Sequence, residues 1–206
     1  MKRRRSGPRP LLFTLVAGVA LANAAPAAAA QTPAPAAAAQ APAPGDGGAA
    51  GAAPGQRWLE LTNTHTGETV HVSYRNAAGV DRAAVDQLEH VLRDHRRDVT
   101  HDMDARLYDL LFDLATSVGK EPRYEIISGY RSPETNHALR ARNPKTEVSE
   151  HSLHMQGKAI DVRLKGYATA GLRDAALRLG RGGVGYYDRS NFVHVDTGRV
   201  RHWSGH

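Results

Sequence analysis

The chain has no cysteine among its 206 residues. That excludes disulfides, lipid attachment at a cysteine and any thiolate metal site. A metal centre here could draw only on imidazoles and carboxylates. Long apolar runs are almost as scarce. The most apolar stretch, LLFTLVAGVALANA at residues 11–24, is shorter than the roughly 20 residues a membrane-spanning helix needs. Aromatics make up 6% of the chain, and no basic stripe interleaves with them. The formal charge of +6 is also misleading. Lys2, Arg3, Arg4, Arg5 and Arg9 precede the apolar stretch, and residues 1–24 hold no acid. Without that segment, 22 basic side chains face 21 acidic ones. A chain so near neutrality has no general electrostatic reason to bind nucleic acid.

The basic start, the short apolar run and the small-residue exit at Ala22-Asn23-Ala24 have the order of a secretory signal. The expectation is a signal peptide over residues 1–24 and export to the periplasm or cell envelope, with no stable membrane anchor after cleavage. Sec and twin-arginine export both fit the arginine cluster. Residues 25–56 are mostly Ala and Pro, without apolar periodicity, and read as a disordered tether. Residues 57–206 are long enough for one real core.

Within that part, Trp58–Leu61 and Val70–Tyr74 flank Asn63-Thr64-His65-Thr66-Gly67 and predict a hairpin. Asp81 can cap a helix with the stripe Val85, Leu88, Val91 and Leu92. A second helix is predicted from Asp104 to Val118, ending at Gly119. Tyr124–Ser128 reads as a strand, and Pro133 opens a short helix behind Ser132 that ends near Arg142. Ala159–Leu164 reads as a strand, and Thr169 is expected to cap a helix ended by Gly180. Gly185–Tyr187 and Phe192–Asp196 follow as two strands, and the last residues read as a tail. The predicted class is α+β with a small, largely antiparallel sheet.

Most of the eleven histidines need no special role. His65, His71, His90 and His95 fall at surface or hairpin positions, and His202 and His206 in the tail. His154, Asp161 and His194 differ. Gly157 permits a sharp reversal after His154. Along the next strand Ile160, Val162 and Leu164 share one face, so Asp161 takes the other. Val193 and Val195 likewise set His194 and Asp196 together on the opposite face. A carboxylate on such a strand is costly unless it is paired or binds a metal. Two imidazoles and a carboxylate, with water in a fourth position, match a catalytic zinc site. On the residues alone, a structural hydrogen-bond network and a metal-free acid–base site remain alternatives.

Ser152-x-His154-x-x-Gly157-x-Ala159-x-Asp161 resembles the signature of the zinc D,D-peptidase superfamily. That group includes vancomycin-resistance dipeptidases, murein endopeptidases and the zinc fold of hedgehog signalling domains. Ser128-Gly129-Tyr130-Arg131-Ser132-Pro133 upstream, and Gly182–Tyr187 through Phe192–Arg199 downstream, resemble its YcbK-like branch. The resemblance implies a hedgehog/D-Ala-D-Ala peptidase-like fold with one zinc ion held by His154, Asp161 and His194. It implies hydrolysis of peptide cross-links in peptidoglycan, with Arg131 binding a substrate carboxylate or steadying the oxyanion. Carboxypeptidase trimming of peptidoglycan peptides and a non-hydrolytic zinc module are the rival functions. Many members carry an acid three residues before the last ligand as the base, and here that position is Asn191. Asp196 is the expected substitute, with Asp188 and His151 as contenders. The other role open to Asp196 is accepting a hydrogen bond from a ligand imidazole or from the Thr197-Gly198 turn.

Overall fold

The computed structural model describes residues 55–142 and 148–205. The expected signal peptide, all but the last two positions of the expected tether, and His206 lie outside the described residues.

The elements follow in the order β1 (Arg57–Asn63), β2 (Thr69–Asn76), β3 (Gly79–Val80), α1 (Arg82–Val91), α2 (Ala105–Ser117), β4 (Arg123–Ser128) and α3 (Pro133–Arg142). A 3₁₀ turn at Leu153–Gln156 leads to β5 (Ala159–Leu164), α4 (Thr169–Leu179), β6 (Gly183–Tyr187), β7 (Phe192–Asp196) and β8 (Arg201–Gly205). The strands form one sheet in the order β3-β2-β1-β4-β5-β7-β6-β8. Only β1–β4 and β6–β8 pair in parallel. The class is α+β and mostly antiparallel as expected, but with eight strands the sheet is mixed and not small.

Strand alternation divides the sheet into two faces. Leu59, Leu61, Tyr124, Ile126, Ile160, Val162, Val193 and Val195 are all buried in the core cluster. Helices α1, α2 and α4 pack against the strands that carry them. The caps follow the sequence in α1, where Asp81 accepts from the N–H of Ala83 and Ala84. In α2, Asp104 accepts from the N–H of Arg106. Such caps each stabilise by about 1 kcal/mol. Gly119 takes the left-handed conformation (φ 66°) just after α2.

Two expectations are corrected. Thr169 does not cap α4: Ala168 occupies that position without a side-chain bond. The Thr169 hydroxyl instead donates to Asn191 Oδ1 at 2.7 Å, because Asn191 adopts a left-handed turn conformation (φ 52°) that presents its amide. The expected tail is β8, paired along Gly183–Tyr187 of β6. As an edge strand with no apolar alternation, it is held by backbone pairing that local sequence does not announce.

Candidate metal centre

The face opposite the core carries the site. Ser128, Asp161, His194, Gly185 and Trp203 form one row across β4, β5, β7, β6 and β8. His154 reaches the row from the 3₁₀ turn. Ser152 caps that turn by accepting from the His154 N–H, and Gly157 ends it at φ 64°. The Gly157 carbonyl accepts from the N–H of Asp104 at 2.8 Å, tying the turn to the start of α2.

His154, Asp161 and His194 are all buried, at 3%, 7% and 8% exposure. The His154 Nε2 lies 3.3 Å from Asp161 Oδ1 and 3.2 Å from His194 Nδ1. The third edge, His194 Nδ1 to Asp161 Oδ1, is 2.8 Å. The outer neighbour of His154 settles its tautomer. His154 Nδ1 meets the Gly129 carbonyl at 2.8 Å, which can only accept, so Nδ1 carries the proton. His194 lies between two carboxylates, with Asp196 Oδ2 3.2 Å from Nε2 and Asp161 Oδ1 2.8 Å from Nδ1, and a cation bound at Nδ1 would leave the proton on Nε2. Two ring nitrogens and a carboxylate oxygen therefore face one another, and the His154 nitrogen is bare.

Such a donor set needs a proton or a metal cation shared among its members. Burial alone would push the Asp161 carboxyl up, yet the two imidazoles hold it well below the usual carboxylate range. Burial opposes charge on His194, but its bonds to Asp161 and Asp196 raise its pKa. Tetrahedral zinc with donors at 2.0–2.1 Å separates them by about 3.3–3.4 Å. Two edges match that spacing and the third needs only a small opening. Among the described residues this is the group of His and acidic side chains that could hold a metal ion. His65, His71 and His90 are exposed and stand apart from it, and His65 stacks on His95 at 4.2 Å.

Arg131 borders the group. Its backbone N–H donates to the His154 carbonyl at 3.2 Å, and its Nη2 stands 3.8 Å from Asp161 Oδ2. Ser128 Oγ and Asn136 Oδ1 accept from the guanidinium at 3.3 and 3.4 Å. Its Nε is buried without a hydrogen-bond partner. Burial lowers its pKa, with Asp161 opposing. The group therefore keeps donor capacity for an anion.

Asp196 stands behind His194, on the ring nitrogen that faces away from Asp161. It is fully buried. Its Oδ1 accepts from the N–H of Gly183 at 2.9 Å, of Gly198 at 2.8 Å and from Arg201 Nη1 at 3.1 Å. Its Oδ2 accepts from Arg201 Nη2 at 2.7 Å as well as from His194. Burial works to raise this carboxyl, but those donors outweigh it and hold the pKa well below the usual range. Asn191 is committed to Thr169, while Asp188 and His151 are exposed.

Sequence reasoning missed Arg201, Gly185 and Trp203 as parts of this region. The Trp203 ring lies 5.1 Å from the His194 ring. A Cβ on Gly185 would come within 2.6 Å of the indole. The spacing of those two residues carries no signal until β6 and β8 are known to pair.

The profile of the family described as peptidoglycan L,D-endopeptidase MepK matches residues 51–203. Peptidoglycan L,D-endopeptidase MepK of Escherichia coli is 41% identical over 152 residues, covering 74% of this chain and 82% of that protein. The protein of the same name from Shigella flexneri gives the same figures. Probable peptidoglycan L,D-endopeptidase MepK of Haemophilus influenzae is 39% identical over 155 residues, covering 75% and 82%. No solved structure matches the chain.

Proposed function

The chain belongs to the peptidoglycan L,D-endopeptidase MepK family, and from that membership we propose an exported murein endopeptidase that uses one zinc ion to cut L,D-bonds in peptidoglycan cross-links. Murein hydrolysis follows from the family. The bond type rests on the relatives' names, and the metal on the donor set. The single observation that carries the zinc reading is the convergence of His154 Nε2, Asp161 Oδ1 and His194 Nδ1 within 3.3 Å of one another. The D-Ala-D-Ala peptidase-like zinc fold is the reading of the architecture that this ligand face supports. Export is supported by the order of the N-terminal residues and by the location of peptidoglycan in the envelope.

Zinc bound there supplies Lewis acidity and a water that deprotonates near neutral pH. The chain's own residues do the rest. Arg131 offers its guanidinium fork to a substrate carboxylate or to the oxygen on which charge develops. Gly129 and Asp196 hold the two imidazoles in their metal-facing tautomers. Asp196 is assigned to that task and not to proton transfer. Five donors already occupy its carboxylate, and its strongly lowered pKa makes it a poor proton acceptor.

The test is incubation of the purified protein with muropeptides cross-linked through L,D- or through D,D-bonds, with a chelator and with zinc restored. Loss of the L,D-linked dimers alone, blocked by the chelator and regained with zinc, is the expected result. Release of a terminal amino acid would make it a carboxypeptidase, and bound zinc with intact muropeptides would make it a non-hydrolytic module.

A further inference from the structure

Strand β8 contributes no residue to the core cluster. Arg201 and Trp203 are half-buried while His202 and Ser204 are exposed, so the strand turns its two large side chains toward the ligand face. Both cross β6 to reach β7. They can do so because β6 carries glycine where they pass. Gly183 pairs with Arg201, and Gly185 pairs with both Trp203 and His194. A Cβ on Gly183 would collide with the Asp196 carboxylate and the Arg201 guanidinium, just as one on Gly185 would meet the indole.

The two side chains grip His194 from different directions. Arg201 makes a two-pronged bond to Asp196 at 2.7 and 3.1 Å and so fixes which carboxylate oxygen meets His194 Nε2. Trp203 leans on the imidazole, tilted 53° to it. Its own orientation is held by the Nε1–H bond to Tyr187 Oη at 3.0 Å and by the Arg201 guanidinium 5.0 Å from its ring. A ring flip of His194 would put ring carbons where Nδ1 now meets Asp161 and Nε2 now meets Asp196. Both contacts oppose it.

We propose that Arg201 and Trp203 are positioning residues for the metal ligand His194, and that β8 exists to deliver them through the gap left by Gly183 and Gly185. The proposal rests on the zinc reading given above. A guanidinium is needed because only its planar fork engages both carboxylate oxygens at once. A purely structural strand would predict that changes here lower thermal stability and leave metal affinity alone.

The experiment titrates the full-length chain with zinc against a chromophoric chelator. Melting of the metal-free protein is measured in parallel, together with the visible spectrum of the cobalt(II)-loaded form. Arg201→Ala, Arg201→Lys and Trp203→Phe are compared with the unaltered chain. Zinc affinity is expected to fall about 10–100-fold in Arg201→Ala. Arg201→Lys should recover little of that loss, since it restores charge without the fork. The cobalt bands should shift in each variant. Zinc affinity and cobalt spectrum unchanged in the folded variants would overturn the proposal. If Arg201→Ala does not fold, Arg201→Lys and Trp203→Phe decide by the same readings. Failure of the unaltered chain to bind zinc would instead overturn the zinc reading.

Discussion

The Nδ1–H of His154 donates to the carbonyl of Gly129 at 2.8 Å, joining a 3₁₀ turn to the end of β4. The bond makes Nε2 the bare nitrogen, and so the orientation of one side chain depends on the placement of a glycine 25 positions earlier. Gly129 is in turn pressed against the backbone of Leu92, whose carbonyl accepts from the Tyr130 N–H at 2.7 Å.

Gly129→Ala should therefore weaken both stability and metal binding. The added methyl has no room beside the Leu92 carbonyl, and relief requires moving the peptide that holds His154. A cost of about 1–3 kcal/mol is expected from overpacking of this kind, along with a loss of zinc affinity of about 10-fold or more. Thermal melting and chelator competition measure the two effects. A variant destabilised but with unchanged zinc affinity would show that the carbonyl does not orient the ring.

Asp196→Asn should behave as the loss of an orienting group. Zinc affinity is expected to fall about 10–100-fold, and excess zinc should restore most of the turnover. A missing base would leave affinity intact, lower turnover by about 10²–10⁴-fold and resist rescue by metal. Parallel measurements on Asp188→Asn and His151→Gln locate the proton acceptor. Loss of turnover at full zinc occupancy in one of them would identify that residue as the base.

Arg131→Lys keeps a positive charge but gives up the fork. Turnover should drop by about 10²–10³-fold, the usual effect of removing one oxyanion donor, with zinc content unchanged. Steady-state kinetics with elemental analysis checks both. Because Arg131 touches Asp161 only at 3.8 Å, loss of metal in this variant would place it in the ligand framework instead.

Stability should fall in acid partly through Asp104. The Arg106 guanidinium and, against burial, the Thr197 hydroxyl hold its carboxyl at about 2, below the ordinary 3.8. A carboxyl lowered on folding stabilises above its unfolded pKa, and that contribution is lost as pH falls through the folded value. The melting temperatures of the unaltered chain and of Asp104→Asn should thus converge between about pH 4 and pH 2. Asparagine remains a good N-cap, so the helix start itself is retained. A gap constant across that range would mean the charge on Asp104 does not contribute.

Much of this was legible beforehand for local reasons. Asp104 and Gly119 bracket α2 because capping is written into adjacent residues. The shared face of His194 and Asp196 follows from strand parity. What parity does not give is distance across the sheet. It set Asp196 on the right face without revealing that His194 would turn the other nitrogen inward, or that Arg201 would claim the carboxylate. Arg201 and Trp203 were lost in the apparent tail because their strand has no apolar alternation and each residue's partner lies eighteen positions back. Thr169 was misread because it is the first helical residue, with Ala168 at the cap position, and its hydroxyl donates to Asn191, which only tertiary structure brings near.

The division of the sheet into an apolar face and a ligand face has a consequence for how such a protein can change over generations. Foldability is fixed mainly by Ile160, Val162, Val193, Val195 and the helices above them. Residues such as Tyr187, Phe192 and Trp203 are only half-buried on the opposite side. A library randomised at Tyr187 and Phe192 would yield mostly folded members, so selection there acts on what the surface binds. That face can therefore vary in its side chains while the same scaffold is inherited.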